Sequence, residues 1–157
     1  MAVRSESRAK IRSSPEAVFA YLTDFGRWRE WAPRIAECQV RGGGPLRTGA
    51  TLDQRVTTRS GGTKPRTLEV IAVEAPRVIS FAGKMGPSAM TWGFSCTAQT
   101  EASTELVLWI EVEVRGPMRL MPAAAMRSGF RRVNGAEVAR IKSAVERTSV
   151  GTATRVS

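Results

Sequence analysis

A chain of 157 residues, 42% of them hydrophobic, has the length of one globular domain and the composition of an ordinary soluble core. Its 24 Lys and Arg against 14 Asp and Glu leave a net charge of +10, and it contains no histidine. That absence excludes imidazole bases, Ser-His and Cys-His nucleophile pairs and the commonest zinc or iron ligand, while two cysteines without metal-like spacing, and no EF-hand-like loop, lead us to expect neither metal nor cofactor.

Residues 3–12 alternate, with Val3, Ser5, Ser7, Ala9 and Ile11 on one side and Arg4, Glu6, Arg8, Lys10 and Arg12 on the other. This is the pattern of a half-exposed strand. Ser14-Pro15-Glu16 then opens a helix: the hydroxyl caps it, proline suits its first position and the carboxylate complements its positive end. Val18, Leu22 and Phe25 share its inner stripe, with Phe19 beside them. Asp24-Phe25-Gly26 breaks it. A second short helix is predicted over 27–32, carrying Trp28 and Trp31, and Pro33 ends it.

Alternation and turn residues predict six more strands, at 36–41, 50–59, 64–73, 77–83, 89–99 and 104–114. The glycine run 42–49 is read as a strand connection, because no Lys-Ser/Thr follows it and no helix opens after it, as a phosphate cradle requires. Over 122–147, Met126, Phe130, Val133, Val138, Ile141 and Val145 recur at helical spacing. They mark a long amphipathic helix with arginines on its flanks and back. Asn134 points where these apolar residues point. Residues 148–157 are small and polar and are expected to form a flexible tail after a single domain, 1–147.

Several stretches are together recognisable. Ile11-x-x-Ser14-Pro15-Glu16-x-Val18-Phe19-x-x-Leu22-x-Asp24-Phe25-x-x-Trp28-x-x-Trp31-x-Pro33 resembles the opening of polyketide cyclase/dehydrase-type members of the START-like (Bet v 1-like, SRPBCC) superfamily. Gly49-Ala50-Thr51 resembles that superfamily's glycine turn, and Glu74-Ala75-Pro76-Arg77 its corner between central strands. The final helix falls where its gripping helix falls. The resemblance implies an α+β helix-grip fold, with a seven-stranded antiparallel sheet wrapped around the long C-terminal helix and two short helices after the first strand.

Such a fold leaves a volume between sheet and helix. Strand parity places Leu106, Leu108, Ile110 and Val112 inward, opposite Glu105, Glu111 and Glu113. Met90, Trp92, Phe94 and Cys96 match that side. Leu52, Gln54 and Val56 face in from their strand, as do Leu68, Val70 and Ala72 from theirs. Trp31, Met90, Trp92, Phe94, Met126 and Phe130 are the expected pocket walls, since aromatic and methionine side chains adapt to irregular apolar guests. Gln54 and Asn134 are the expected polar contacts to a ligand, although they would equally satisfy each other, a water or a backbone group.

The expected function is the binding of a small hydrophobic molecule. The resemblance also implies two alternatives, an aromatase/cyclase acting on a carrier-bound polyketide and a protein-binding adaptor. For the enzyme, Tyr21, Glu137 and Arg140 are the acid/base candidates. Residues 36–114 carry eight basic and eight acidic side chains, whereas 115–147 carry eight basic and two acidic. The basic helix would suit an acidic carrier protein, and no nucleic acid is expected as a partner. No apolar run approaches the ~20 residues of a membrane span, and the opening MAVRSESRAK has no apolar signal core, so cytoplasm with reduced Cys38 and Cys96 is the expected compartment.

Overall fold

The computed structural model describes residues 1–156, with side chains described through 148. Seven strands form one sheet: β1 (Ala2–Ile11), β2 (Ile35–Val40), β3 (Thr51–Thr57), β4 (Thr63–Glu74), β5 (Val78–Met85), β6 (Ser88–Thr100) and β7 (Ser103–Glu113). Their order is β1-β7-β6-β5-β4-β3-β2, and every neighbouring pair is antiparallel. The chain leaves β1 through α1 (Pro15–Leu22), crosses to the far edge at β2, and meanders back until β7 meets β1. The crossing is why both edges come from the N-terminal quarter of the sequence.

The start of α1 follows the sequence reading. Ser14 is extended and its Oγ accepts a hydrogen bond from the Ala17 amide at 3.2 Å, with Pro15 first in the helix. The second short helix is tighter and earlier than the predicted 27–32: a 3₁₀ segment, Phe25–Glu30, in which Trp28 Nε1 donates to Leu22 O at 2.8 Å. A buried indole that finds a carbonyl so close in sequence fixes the turn between the two segments.

The terminal helix, α2 (Ala123–Val156), has a helical backbone beyond the expected end at Arg147. The expected flexible tail, 148–157, lies outside the described side chains apart from Thr148. The helix buries Met126, Asn134, Val138, Ile141, Ala144 and Val145. Val133, assigned to this stripe from spacing, is 56% exposed. At 100° per residue it falls just beyond the edge of the stripe that Met126, Val138, Ile141 and Val145 define.

Inside and outside alternate along β7 as parity requires: Thr104, Leu106, Leu108, Ile110 and Val112 are buried and Glu113 is exposed. The outer face of β1 and β7 is a charge ladder. Arg8 meets Glu105 at 3.0 Å, Arg4 meets Glu111 at 3.5 Å, and the Met1 amine meets Glu113 at 2.9 Å. Each such surface pair contributes at most about 1 kcal/mol, so the ladder disposes of charge more than it holds the sheet. A bulge between Val70 and Ala72 interrupts β4 and leaves Ile71 exposed and Ala72 half-buried.

Gly93 on β6 faces Ser80 on β5, and a Cβ there would lie 2.5 Å from Ile79 O and 2.8 Å from Ser80 Cα. Gly93→Ala is expected to lower stability by about 1–3 kcal/mol through overpacking against backbone. Gly129→Ala, on α2 with nothing within 4 Å of its Cβ, is expected to raise it by about 0.5–1 kcal/mol. Urea unfolding of the two variants checks this; equal effects would refute the close approach at Gly93.

Candidate functional site

α2 packs chiefly on β1, with lighter contact to β7. Lys142 Nζ donates to Lys10 O, and the Arg12 amide donates to Glu146 Oε1 at 3.0 Å, pinning the helix to that edge. α2 therefore leaves the far half of the curved sheet largely uncovered, and the 3₁₀ segment packs on its edge strand β2. What remains there is a pocket of about 450 Å³ between α2, the sheet and the segment after the 3₁₀ turn. Met90, Trp92, Leu108 and Ile110 form its floor, Trp31 and Ile35 one wall, and Asn134 and Glu137 the helix side. It opens past Arg34, Lys64 and Lys84, all exposed. A wider groove, about 590 Å³, lies beside the Glu74–Pro76 corner and α1, but it has no aromatic wall.

The wall next to Trp31 is a packed aromatic cluster. Trp28 contacts Phe25, Trp31, Phe81 and Trp92 with ring centroids 5.2–5.5 Å apart, and Phe94 packs edge-on to Trp31 at 5.5 Å. Tilted and edge-to-face rings of this kind each add about 0.5–1.5 kcal/mol beyond burial. Arg140 Nη1 donates to Trp31 O at 3.3 Å, which ties this wall to α2.

Polar groups punctuate the apolar surface. Trp31 is 1% exposed and Asn134 8%, yet neither Trp31 Nε1 nor Asn134 Nδ2 has a hydrogen-bond partner among the described residues. An unmade bond to a buried donor costs about 1–3 kcal/mol. Both residues line the pocket, where a guest oxygen would relieve that cost. Arg66, on β4, also lines it and donates Nε to Gln54 Oε1 at 2.8 Å; Gln54 Nε2 in turn donates to Cys38 Sγ at 3.5 Å. Burial pulls the Arg66 guanidinium below its ordinary value. Burial also pushes the Glu137 carboxyl up to about 7, against the opposing pull of Arg140 and Arg66. Among the described residues, no three Cys, Asp or Glu side chains gather to hold a metal ion.

Of the expected wall residues, Trp31, Met90 and Trp92 line this pocket with Asn134 and Glu137. Phe94 stands behind the aromatic wall, and Met126 and Phe130 pack into the core nearer the start of α2, outside the lining. Gln54 reaches the pocket only through Arg66, and it does not meet Asn134. Arg140 is exposed and acts on Trp31 from outside. Tyr21 does not reach the pocket: its hydroxyl donates to Glu30 Oε1 at 3.2 Å, and Arg27 lies over its ring at 4.8 Å. Burial and the Glu30 carboxylate hold its hydroxyl well above the usual range, so it is a poor proton donor. The sequence reading missed Arg66 and Lys64. The signal was there, since both share the parity of inward-facing Leu68 and Val70.

A sequence model of the family described as polyketide cyclase / dehydrase and lipid transport matches residues 2–146. No curated protein matches. Solved structures of similar fold include the di-domain ARO/CYC StfQ from the steffimycin biosynthetic pathway, with TM-score 0.73 and 15% identity over 95% of this chain and 52% of that one. This chain thus spans about half the length of StfQ. A START superfamily protein from Mycobacterium smegmatis is similar with TM-score 0.72 and 18% identity, covering 93% and 99% of the two chains. The Zhui aromatase/cyclase from Streptomyces sp. R1128 follows with TM-score 0.71 and 15% identity, covering 94% and 95%. At these identities the likeness is one of fold. Among the described residues no helix is long and apolar enough to cross a membrane.

The raised value of Glu137 has a thermodynamic consequence. Its folded value of about 7 exceeds its ordinary 4.5, so the folded state binds this proton more tightly. The contribution is complete below pH 4.5, is lost as pH rises towards about 7, and stays lost above. Glu137→Gln is expected to be more stable than the parent by on the order of 1–3 kcal/mol at pH 8, with the difference vanishing near pH 4.5. Denaturant unfolding at both values checks this; a pH-independent difference would contradict a buried, titrating carboxyl.

Proposed function

This chain belongs to the polyketide cyclase/dehydrase and lipid transport family, and on that premise we propose that it binds a small, mainly hydrophobic molecule in the pocket between β-sheet and α2, working in the cytoplasm, where Cys38 and Cys96 stay reduced. The observation that carries this reading is the aromatic-walled pocket of about 450 Å³ bounded by Trp31, Trp92, Met90, Leu108 and Ile110. Apolar pockets of this size with a few polar groups are suited to small molecules. An open pocket disfavours the adaptor alternative, which calls for a filled interior.

Magnitudes limit what apolar contact alone does here. A guest burying about 250 Å² of apolar surface gains roughly 6 kcal/mol, short of the ~8 kcal/mol of a micromolar complex even before the cost of association. The unpaired donors of Trp31 and Asn134 are suited to supply the difference.

A second reading, cyclisation of a poly-carbonyl chain, is favoured by Glu137. A half-buried carboxyl near neutrality is suited to general acid/base work, and the pocket would hold a folded chain for ring closure. The exposed arginines of α2, Arg127, Arg131 and Arg132, would then receive an acidic carrier protein.

The binding reading is tested with the uncharged fluorophore N-phenyl-1-naphthylamine. Its emission is expected to rise and saturate on titration with protein. Ile110→Trp, which fills the floor, is expected to weaken uptake at least about tenfold, and Tyr21→Phe to leave it unchanged. Unaltered uptake by a folded Ile110→Trp would remove the pocket assignment.

A further inference from the structure

Charge is distributed unequally between the two faces of the sheet. On the outer face the carboxylates of Glu6, Glu105, Glu111 and Glu113 are matched by Arg4, Arg8 and the terminal amine, and Arg41 by Asp53 at 2.7 Å. The concave side is different. Arg34, Lys64, Arg66 and Lys84 all line one pocket, and the single carboxyl among its lining residues is Glu137. Among the described residues none of these four cations forms an ion pair, although the strand region as a whole carries as many acids as bases. Topology has sorted the acids outward and left the cations facing the cavity.

The arrangement is graded with depth. Lys64, Lys84 and Arg34 are exposed at the mouth, where they attract but do not orient. Arg66 is half-buried and held in place by Gln54, which spends one of its five N–H donors. Deeper lie the unpaired N–H groups of Trp31 and Asn134. The two buried unpaired groups on this wall, Trp31 Nε1 and Asn134 Nδ2, are both donors, and four cations line the pocket against one carboxyl, Glu137. Beyond these groups the floor of Trp92, Leu108 and Ile110 is apolar.

Resting on the binding reading above, we infer that the ligand is an amphipathic monoanion, a carboxylate whose head is held by Arg66, Trp31 and Asn134 and whose hydrophobic body lies on Trp92, Leu108 and Ile110. A carboxylate offers acceptors only, which matches the N–H groups of Arg66, Trp31 and Asn134, and a planar guanidinium pairs with it in register. A phosphate head fits less well. No helix start supplies backbone amides here, because α2 begins at Ala123, more than two turns before Asn134, and Glu137 on the same wall repels a second negative charge.

The test compares three probes that share one body: 4-(1-pyrenyl)butyric acid, 4-(1-pyrenyl)butanol and 4-(1-pyrenyl)butylamine, titrated with the full chain by pyrene emission at pH 6, where the probe acid is ionised and the Glu137 carboxyl is mainly neutral. The acid is expected to bind at least tenfold more tightly than the alcohol, and the amine more weakly than either. Arg66→Gln is expected to abolish the advantage of the acid over the alcohol. The double variant Lys64→Gln/Lys84→Gln, on exposed positions that do not endanger folding, is expected to weaken the acid severalfold and to reduce its sensitivity to salt. If alcohol and acid bind equally, the anion assignment is overturned and the pocket reading stands. If none of the three binds, the pocket reading falls and the inference falls with it. If the acid keeps its advantage in both variants, the cations named here are not its recognition site.

Discussion

The site exists because one helix is anchored to one edge of a wide sheet. Val138, Ile141, Ala144 and Val145 seat α2 against β1, and Lys142 and Glu146 fasten it there through the backbone of Lys10 and Arg12. Seven twisted strands are broader than a single helix can cover. The uncovered part faces the pocket, where Val56 of β3 and Lys64 and Arg66 of β4 line it together with Asn134 and Glu137 of α2. The 3₁₀ segment and its tryptophans then close one side. Nothing in this arrangement needs a special residue to create a cavity. It needs only that the residues between helix and far strands be too few to fill the gap.

Two kinds of residue decide what that gap is. Trp28, Trp31, Phe81, Trp92 and Phe94 interlock into one wall. Arg66, Asn134 and Glu137 place polar atoms at fixed points on it. Arg66 is positioned by Gln54, and Gln54 by Cys38, so a chain of two side-chain bonds reaching back to β2 sets the direction of one guanidinium. Burial then works in opposite senses, pulling the guanidinium down and pushing the carboxyl up, so each charge is held less tightly than it would be in water.

The fold was open to reading from the chain because its signals are local and periodic. The alternation in β7, the Ser14-Pro15 cap and the spacing along α2 each name their own inner face. Asn134 was legible for the same reason, as a polar residue on an apolar stripe. Tyr21 was misplaced because helix periodicity says that it is buried, not what buries it, and Glu30 and Arg27 lie on a segment whose 3₁₀ geometry periodicity does not show. Val133 was misread because steps of three, four and five drift round a helix until they reach its solvent side. Arg66 was passed over because a charge on an inward parity looks like a strand end, and only the register of β4 against β3 sets it beside Gln54. Met126 and Phe130 lie on the correct face but too near the start of α2, a displacement along the axis that face-based reasoning does not see.

The tryptophan cluster gives the molecule an optical property. Trp28, Trp31 and Trp92 stand with ring centroids 5.2–6.4 Å apart, whereas Trp109 lies on the outer face beneath Arg4. Excitation absorbed by any of the inner three migrates among them before it is emitted, so their light reports on the trio as a unit. A quencher placed on the pocket floor would darken all three at once and spare the fourth.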